Sequence, residues 1–115
     1  MTLRLTVPAI GAVRRTAPPE EESPVQARPT VQIDNQRVKV TLWTFAPGAE
    51  TGQHVHAHDY VVVPLTSGTL RLVEAAATRE AQLTAGVSYN RSAGVAHNVI
   101  NANAYEFRFI EVELK

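Results

Sequence analysis

Four histidines are the residues of this 115-residue chain whose spacing indicates chemistry. His54, His56 and His58 stand at alternate positions, and His97 lies further along in the stretch GVAHNVIN. Alternate residues of a strand point to the same side of a sheet, and imidazole is the side chain that most often binds metal ions in proteins. A His-x-His pair and a distant histidine converge only if a sheet curls back on itself. The spacing therefore predicts a metal site inside a small β-barrel.

The composition excludes several other kinds of site. The chain contains no cysteine, so it offers no thiolate ligand, thiolate nucleophile or disulfide. Its formal net charge is zero, which gives no basic surface for nucleic acid or anionic lipid. No apolar run reaches the roughly 18 residues of a membrane-spanning helix, and Arg4, Pro8 and Gly11 interrupt the apolar N-terminus, so we expect no membrane span and no secretory signal. A cytoplasmic location is the expectation.

The first 30 residues differ from the rest of the chain. They hold five of its seven prolines, which exclude a long helix or a central strand because proline lacks the backbone donor. We interpret residues 1–30 as an extended N-terminal arm, with Leu3, Leu5 and Val7 alternating as in an edge strand. Two interpretations of the arm stay open: a partly ordered tail, or a segment that lies across a dimer partner.

Residues 31–115 are typical of a β domain. Val38, Val40 and Leu42 alternate with polar residues, as expected of a half-buried strand, and this alternation places Trp43 on the outward face, towards a dimer partner. Turn signals recur about every 8–12 residues, the spacing of an all-β sandwich or barrel. A length of 115 residues indicates one domain.

Two spaced motifs connect these observations to a known family. The first motif is Gly48, five residues, His54-Val55-His56 and, at its far end, Gly68; the second is Gly86, five residues, Ser92-Ala93-Gly94, two residues, His97, three residues and Asn101. In both spacing and residue types the chain resembles the cupins, which are small jelly-roll β-barrels. The resemblance implies an all-β, single-domain cupin barrel over residues 31–115.

The resemblance also implies a metal centre. His54, His56 and His97 match the family's histidine ligands, so one divalent ion per chain is expected; Fe(II) is favoured, and Zn(II), Ni(II) and Mn(II) stay open. The glutamate of the first motif is absent, because its position falls on Tyr60 or Val61. Three neutral imidazoles leave the full charge on the ion, which would attract an anionic ligand.

The missing glutamate makes the chain similar to three-histidine cupins such as acetylacetone-type dioxygenases. That similarity implies an Fe(II) dioxygenase that cleaves a small β-dicarbonyl substrate bound as an enolate. Two alternatives stay open: a non-enzymatic, metal-containing cupin that binds or senses a small ligand, and a metal-dependent isomerase or lyase. For all three we expect a small-molecule ligand and a homodimer.

Five further residues are candidates for the surroundings of the metal. His58 is either an additional ligand in place of the glutamate or, as we favour, a residue at the mouth of the pocket. Asp59 either supplies a carboxylate to the metal, accepts a hydrogen bond from a ligand imidazole or, as we favour, stabilises a turn. Tyr60 is a candidate proton donor. Phe107 and Phe109 alternate on one face and are assigned to the barrel interior near the site.

Overall fold

The computed structural model describes residues 25–115, and these residues form nine β-strands. The strands are β1 Arg28–Asp34, β2 Val38–Phe45, β3 His54–Val55, β4 Asp59–Pro64, β5 Gly68–Val73, β6 Thr78–Leu83, β7 Tyr89–Arg91, β8 Ala96–Asn101 and β9 Phe107–Leu114. The predicted all-β class is confirmed. Within this part of the chain there is no helix with the length and hydropathy to cross a membrane.

The strands make two antiparallel sheets. One sheet has the order β1-β2-β9-β4-β7, and the other has the order β3-β8-β5-β6. Neighbours in each sheet are mostly distant in sequence, as in a jelly roll, where the chain crosses repeatedly from one sheet to the other. The short strand β3 pairs with β8 so that His54 lies directly opposite His97. This pairing brings the two histidine motifs together.

The core between the sheets is aromatic on one side and aliphatic on the other. Phe45 and Phe107 are fully buried, and the Phe45 and Phe109 rings lie 5.4 Å apart. Leu70 and Val99 cover them from the second sheet. Burial of these large side chains is the main force that holds the two sheets together.

The face assignment of β2 that the sequence indicated was wrong. Trp43 lies on the same inward face as Thr41 and Phe45, and its indole lines an internal cavity. Val40 and Leu42 therefore lie on the outward face. The alternation misled because β2 carries apolar side chains on both faces and its inward face also carries polar residues.

The barrel begins earlier than the predicted boundary at residue 30. β1 starts at Arg28, and the Ala27 amide donates to the carbonyl of Glu50 over 2.9 Å. Ala27 is fully buried, so this stretch packs against the barrel. The edge strand predicted over residues 3–7 and the rest of the arm up to residue 24 lie outside the described residues.

Asn101, the last residue of the second motif, fixes the crossing between the sheets. Its side-chain amide donates to the carbonyls of Phe45 and Ala46, each over 3.2 Å, and to that of Tyr105 over 2.8 Å. Its carbonyl oxygen accepts from the Asn103 amide over 2.9 Å. Asn101 is only 1% exposed, so these bonds satisfy groups that water does not reach.

We predict that Asn101→Ala lowers the free energy of unfolding by about 2–4 kcal/mol, because the variant leaves several buried carbonyls without a donor. Asn90→Ala, at an exposed position of β7, is the control and should change stability by less than about 0.5 kcal/mol. Urea unfolding followed by tryptophan fluorescence measures both. A loss below about 1 kcal/mol for Asn101→Ala would show that the barrel does not depend on this amide.

Candidate metal centre

Three histidines reach one point from two neighbouring segments. His54 on β3 faces His97 on β8, whereas His56 lies just beyond the end of β3. The chain stays extended there because the His56 amide donates to the Val95 carbonyl and the Gly94 amide donates to the His56 carbonyl, both over 2.8 Å. Strand β3 ends before His56, so these hydrogen bonds to the turn before β8 orient His56 towards the other two imidazoles.

The three Nε2 atoms have the separations that a metal ion requires. The distance between His54 Nε2 and His56 Nε2 is 3.0 Å, and that between His56 Nε2 and His97 Nε2 is 3.2 Å. Two nitrogen atoms that each lie about 2.1 Å from one ion are about 3.0 Å apart at a right angle and about 3.4 Å apart at a tetrahedral angle. The separation of 3.0 Å equals that of adjacent octahedral positions, and the separation of 3.2 Å lies midway between the two geometries. With either geometry, three nitrogen ligands would leave at least one further position open for a ligand.

The hydrogen bonds of His54 set its tautomer. Its Nδ1 lies 2.8 Å from the Gly52 carbonyl oxygen, which only accepts, so Nδ1 carries the proton. The Nε2 lone pair of His54 is then free to face the cluster. The Nδ1 of His97 is buried and finds no hydrogen-bond partner among residues 25–115. Such a ring depends on its Nε2 for polar interaction, which a metal ion would supply.

Burial keeps the imidazoles of His56 and His97 neutral. His56 and His97 are 5% and 4% exposed. Burial, reinforced by the neighbouring His54, lowers the pKa of His56 and of His97 to about 4. A metal ligand must be the neutral imidazole, and near pH 7 both rings already have that form.

Glu111 on β9 is the residue that sequence analysis missed. Its carboxylate Oε2 lies 3.8 Å from His56 Nε2, and Trp43 donates its indole N–H to Oε1 over 3.4 Å. Burial raises the pKa of Glu111 to about 7, while the pKa of His56 is lowered, so the contact is not a charged pair near neutral pH. The sequence did contain an indication of this position. Glu111 alternates with Phe107 and Phe109 along β9 and therefore lies on the same inward face.

An aromatic side chain, Tyr60, lies near the position where the first motif would carry its glutamate. Tyr60 is 2% exposed and its ring stacks on His56 with centroids 3.9 Å apart. Its hydroxyl is buried without a partner in the described part of the chain. His58 is partly exposed and lies outside the three-histidine cluster. The exposed Asp59 accepts from the Ala93 amide over 2.8 Å, the geometry of a residue that stabilises a turn.

The comparisons with known proteins agree with this geometry. Residues 41–113 match the family model of the cupin domain. The chain belongs to the cupin family. The Beta-alanine degradation protein BauB of Pseudomonas aeruginosa is 63% identical to this cupin over 90 residues, which cover 78% of this chain and 95% of that protein.

Solved structures show the same fold. The crystal structure of a cupin domain from Bordetella pertussis Tohama I is 56% identical, with a TM-score of 0.80, over 82% of this chain and 98% of that chain. A protein with a double-stranded β-helix domain from Klebsiella pneumoniae has a TM-score of 0.65 at 23% identity, over 81% of this chain and 80% of that chain. At that identity the similarity concerns the fold alone.

A small cavity adjoins two of the three imidazoles. Its volume is about 30 Å³, and His54, His97, Tyr60, Glu111 and Phe109 are among the residues that line it. Phe107, in contrast, is buried in the core beyond the cavity lining. A volume of this size admits an ion with one or two waters, so only a molecule of few atoms fits without local opening.

We predict that this cupin binds about one Fe(II) or Zn(II) per chain and that His97→Ala weakens binding at least about 100-fold, because it removes one of three convergent nitrogens. Elemental analysis after reconstitution and competition with a chelator measure stoichiometry and affinity. His58→Ala is the matched control and should leave both within about threefold. Stoichiometric, tight metal in His97→Ala would contradict the three-histidine site.

We also predict that the metal-free protein loses stability as the pH falls from about 6.5 to about 4. In this window the unfolded chain binds protons on His56 and His97 that the folded chain does not, since their pKa is lowered to about 4. Glu111 has the opposite effect on stability, because its pKa is raised to about 7 and the folded chain therefore binds its proton more tightly than the unfolded chain does. It is a single group, however, whereas two histidines act in the first direction. Urea unfolding in the presence of chelator should show this slope, and a shallower slope for His97→Gln. Stability that stays flat or rises on acidification would refute the neutral, buried imidazoles.

Proposed function

We propose that this cupin is an Fe(II)-dependent dioxygenase that cleaves a small 1,3-dicarbonyl substrate bound as its enolate. The observation that supports the proposal most is the cluster of three imidazoles, whose Nε2 atoms are separated by 3.0 and 3.2 Å, while the Glu111 carboxylate lies further away, 3.8 Å from His56 Nε2. Such a set leaves the charge of a divalent ion uncancelled and favours a chelating oxygen anion. The separation of 3.0 Å between His54 Nε2 and His56 Nε2 is that of adjacent octahedral positions, which suits Fe(II) with open positions.

The walls of the cavity support a small anionic substrate. Arg91 on β7 lines the cavity, and its positive charge contributes to the lowered pKa of both His56 and His97. Its guanidinium is also in contact with Glu74 at 3.4 Å, which holds it in place from the outer side. Val62 and Leu72 are among the apolar side chains of the wall. One fixed cation beside apolar wall residues is suited to a carboxylate on a short carbon chain.

The name of the BauB relative supports a particular substrate class. That protein is described as a Beta-alanine degradation protein. Oxidative removal of the amino group of β-alanine gives a 3-oxo acid, in which a carbonyl and a carboxylate stand in the 1,3 relation. Such a compound loses a proton from its central carbon to give an enolate with two oxygen donors. We therefore propose 3-oxopropanoate as the first substrate to test.

The chain's own residues have defined roles in this proposal. Arg91 binds the substrate carboxylate, and Glu111, at the edge of the cavity, accepts the proton that leaves the central carbon. A bound iron(II) would polarise the substrate oxygens and bring dioxygen into the reaction. Cleavage between the carbonyl carbon and the central carbon converts 3-oxopropanoate and one dioxygen into formic acid and glyoxylate, with one oxygen atom of dioxygen in each product.

We predict that the iron-loaded protein consumes one dioxygen per 3-oxopropanoate and that Glu111→Gln lowers kcat at least about 10-fold, because the amide cannot accept the proton. An oxygen electrode, product analysis and ¹⁸O₂ labelling measure this. Glu106→Gln, at an exposed position, is the control for the charge change and should keep full activity.

Two other outcomes would contradict the oxygenase proposal. Substrate-induced stabilisation of iron-loaded protein without turnover would indicate a binding or sensor domain, because a ligand selective for the folded state raises stability by mass action. Loss of substrate without oxygen uptake would indicate an isomerase or lyase.

A further inference from the structure

A second, larger cleft opens where the two sheets end side by side. β6 is the last strand of the four-stranded sheet and β7 is the last strand of the five-stranded sheet, and neither pairs with the other. Among residues 25–115, therefore, no ladder of hydrogen bonds closes the barrel on this side. The opening has a volume of about 270 Å³, and we call it the edge cleft. Its lining includes Leu72, Arg79, Ala81, Leu83, Tyr89 and Arg91.

The edge cleft adjoins the cavity at the metal centre. Leu72, Tyr89 and Arg91 line both. Arg91 lies opposite Tyr60 in the β4–β7 register, and the Tyr60 ring stacks on His56. The inner cavity of about 30 Å³ admits only a few atoms, whereas the volume of the edge cleft approaches that of pockets that hold small organic molecules. A larger molecule bound at the metal centre therefore extends into the edge cleft.

Two arginines face the edge cleft from opposite strands. Arg79 on β6 and Arg91 on β7 both contact the Glu74 carboxylate, at 3.2 and 3.4 Å. The hydrogen bond from Arg79 lowers the pKa of Glu74, so this carboxylate is charged near neutral pH. Neither guanidinium has another ion-pair partner within the described part of the chain. Two positive charges and one negative charge leave an excess of one positive charge at the cleft.

The floor of the edge cleft is apolar. Leu72 lies directly opposite Arg79 in the β5–β6 register. Leu72 and Leu83 are buried, and Ala81 packs against the core beside them. An apolar floor with positively charged groups on both sides is complementary to a short hydrocarbon chain that carries an anionic group at each end.

We propose that the edge cleft is a second anion subsite, in which Arg79 binds the far carboxylate of a linear dicarboxylate whose near end lies at Arg91 and the metal centre. Glu74 uses one edge of each guanidinium, and the other N–H groups are left for the ligand, since an arginine carries five of them. The inference rests on the proposed function and deepens it, because it extends the substrate class from 3-oxopropanoate to longer 3-oxo acids with a second carboxylate.

Isothermal titration calorimetry of the full chain loaded with Zn(II) tests the subsite, because zinc occupies the metal centre without oxygen chemistry. The probes are succinate, glutarate and adipate, each compared with the monocarboxylate of the same carbon number: butyrate, pentanoate and hexanoate. At least one dicarboxylate should bind at least about tenfold more tightly than its monocarboxylate, because only the dicarboxylate reaches Arg79 with a charged group. The ratio of the two dissociation constants is the dicarboxylate preference.

Two arginine variants assign the preference to the edge cleft. Arg79→Gln should reduce it to less than about threefold and leave monocarboxylate binding within about twofold, because it removes only the far charge. Arg71→Gln is the matched control and should keep the full preference. Arg71 lies on the same hairpin and pairs with Glu80, but on the outward face, and its side chain is 45% exposed against 48% for Arg79.

Three results would overturn the subsite. The first is a wild type that shows no dicarboxylate preference with any of the three chain lengths. The second is a preference that Arg79→Gln retains. The third is a loss in Arg79→Gln that is equal for both kinds of carboxylate, because it would mean that Arg79 and Arg91 share a single anionic group.

The subsite and the oxygenase fail in different measurements. Oxygen uptake with 3-oxopropanoate by a protein that lacks the dicarboxylate preference would overturn the subsite alone. A preference that disappears in Arg79→Gln, in a protein whose iron form takes up no oxygen, would support the subsite and contradict the dioxygenase alone.

Discussion

The constraint on which this structure depends is the convergence of three imidazoles, two of which, His56 and His97, are buried from water. Three lone pairs that point at one another have no stable arrangement without a proton or a cation between them, and burial disfavours the proton, since the pKa of His56 and of His97 falls to about 4. A divalent cation would resolve the conflict, because it would bind the neutral rings and offset their desolvation. The surrounding structure can then be understood as support for a metal centre.

That support comes from three different elements. The short β3–β8 pairing places His54 opposite His97, and the Gly52 carbonyl holds the His54 tautomer. Asn101 ties the end of β8 to the end of β2 and to the loop before β9, which keeps the ligand strand in register with the opposite sheet. The inward face of the five-stranded sheet completes this support, because it supplies Tyr60 and Glu111 to the site.

The fold and the convergence of the histidines were predictable from the sequence, because both depend on spacing. Alternation and turn signals determine the all-β class, and two motifs of fixed length bring His54, His56 and His97 together. The spacing of residues along the sequence does not show which distant strands pair in the sheets. Trp43 was assigned to the wrong face because β2 is apolar on both sides. The proximity of Glu111 to His56 depends on β9 lying between β2 and β4, which no local pattern states.

X-ray absorption spectroscopy of the iron-loaded protein at the iron edge tests the central claim most directly, because it reports the ligands of the ion without requiring turnover. The account predicts three imidazole nitrogens at about 2.1 Å and the multiple-scattering pattern of histidine rings, with the remaining positions filled by exchangeable oxygen donors. Addition of 3-oxopropanoate should change only those oxygen donors. Fewer than three imidazoles, or a shell of oxygen donors alone, would contradict the three-histidine centre.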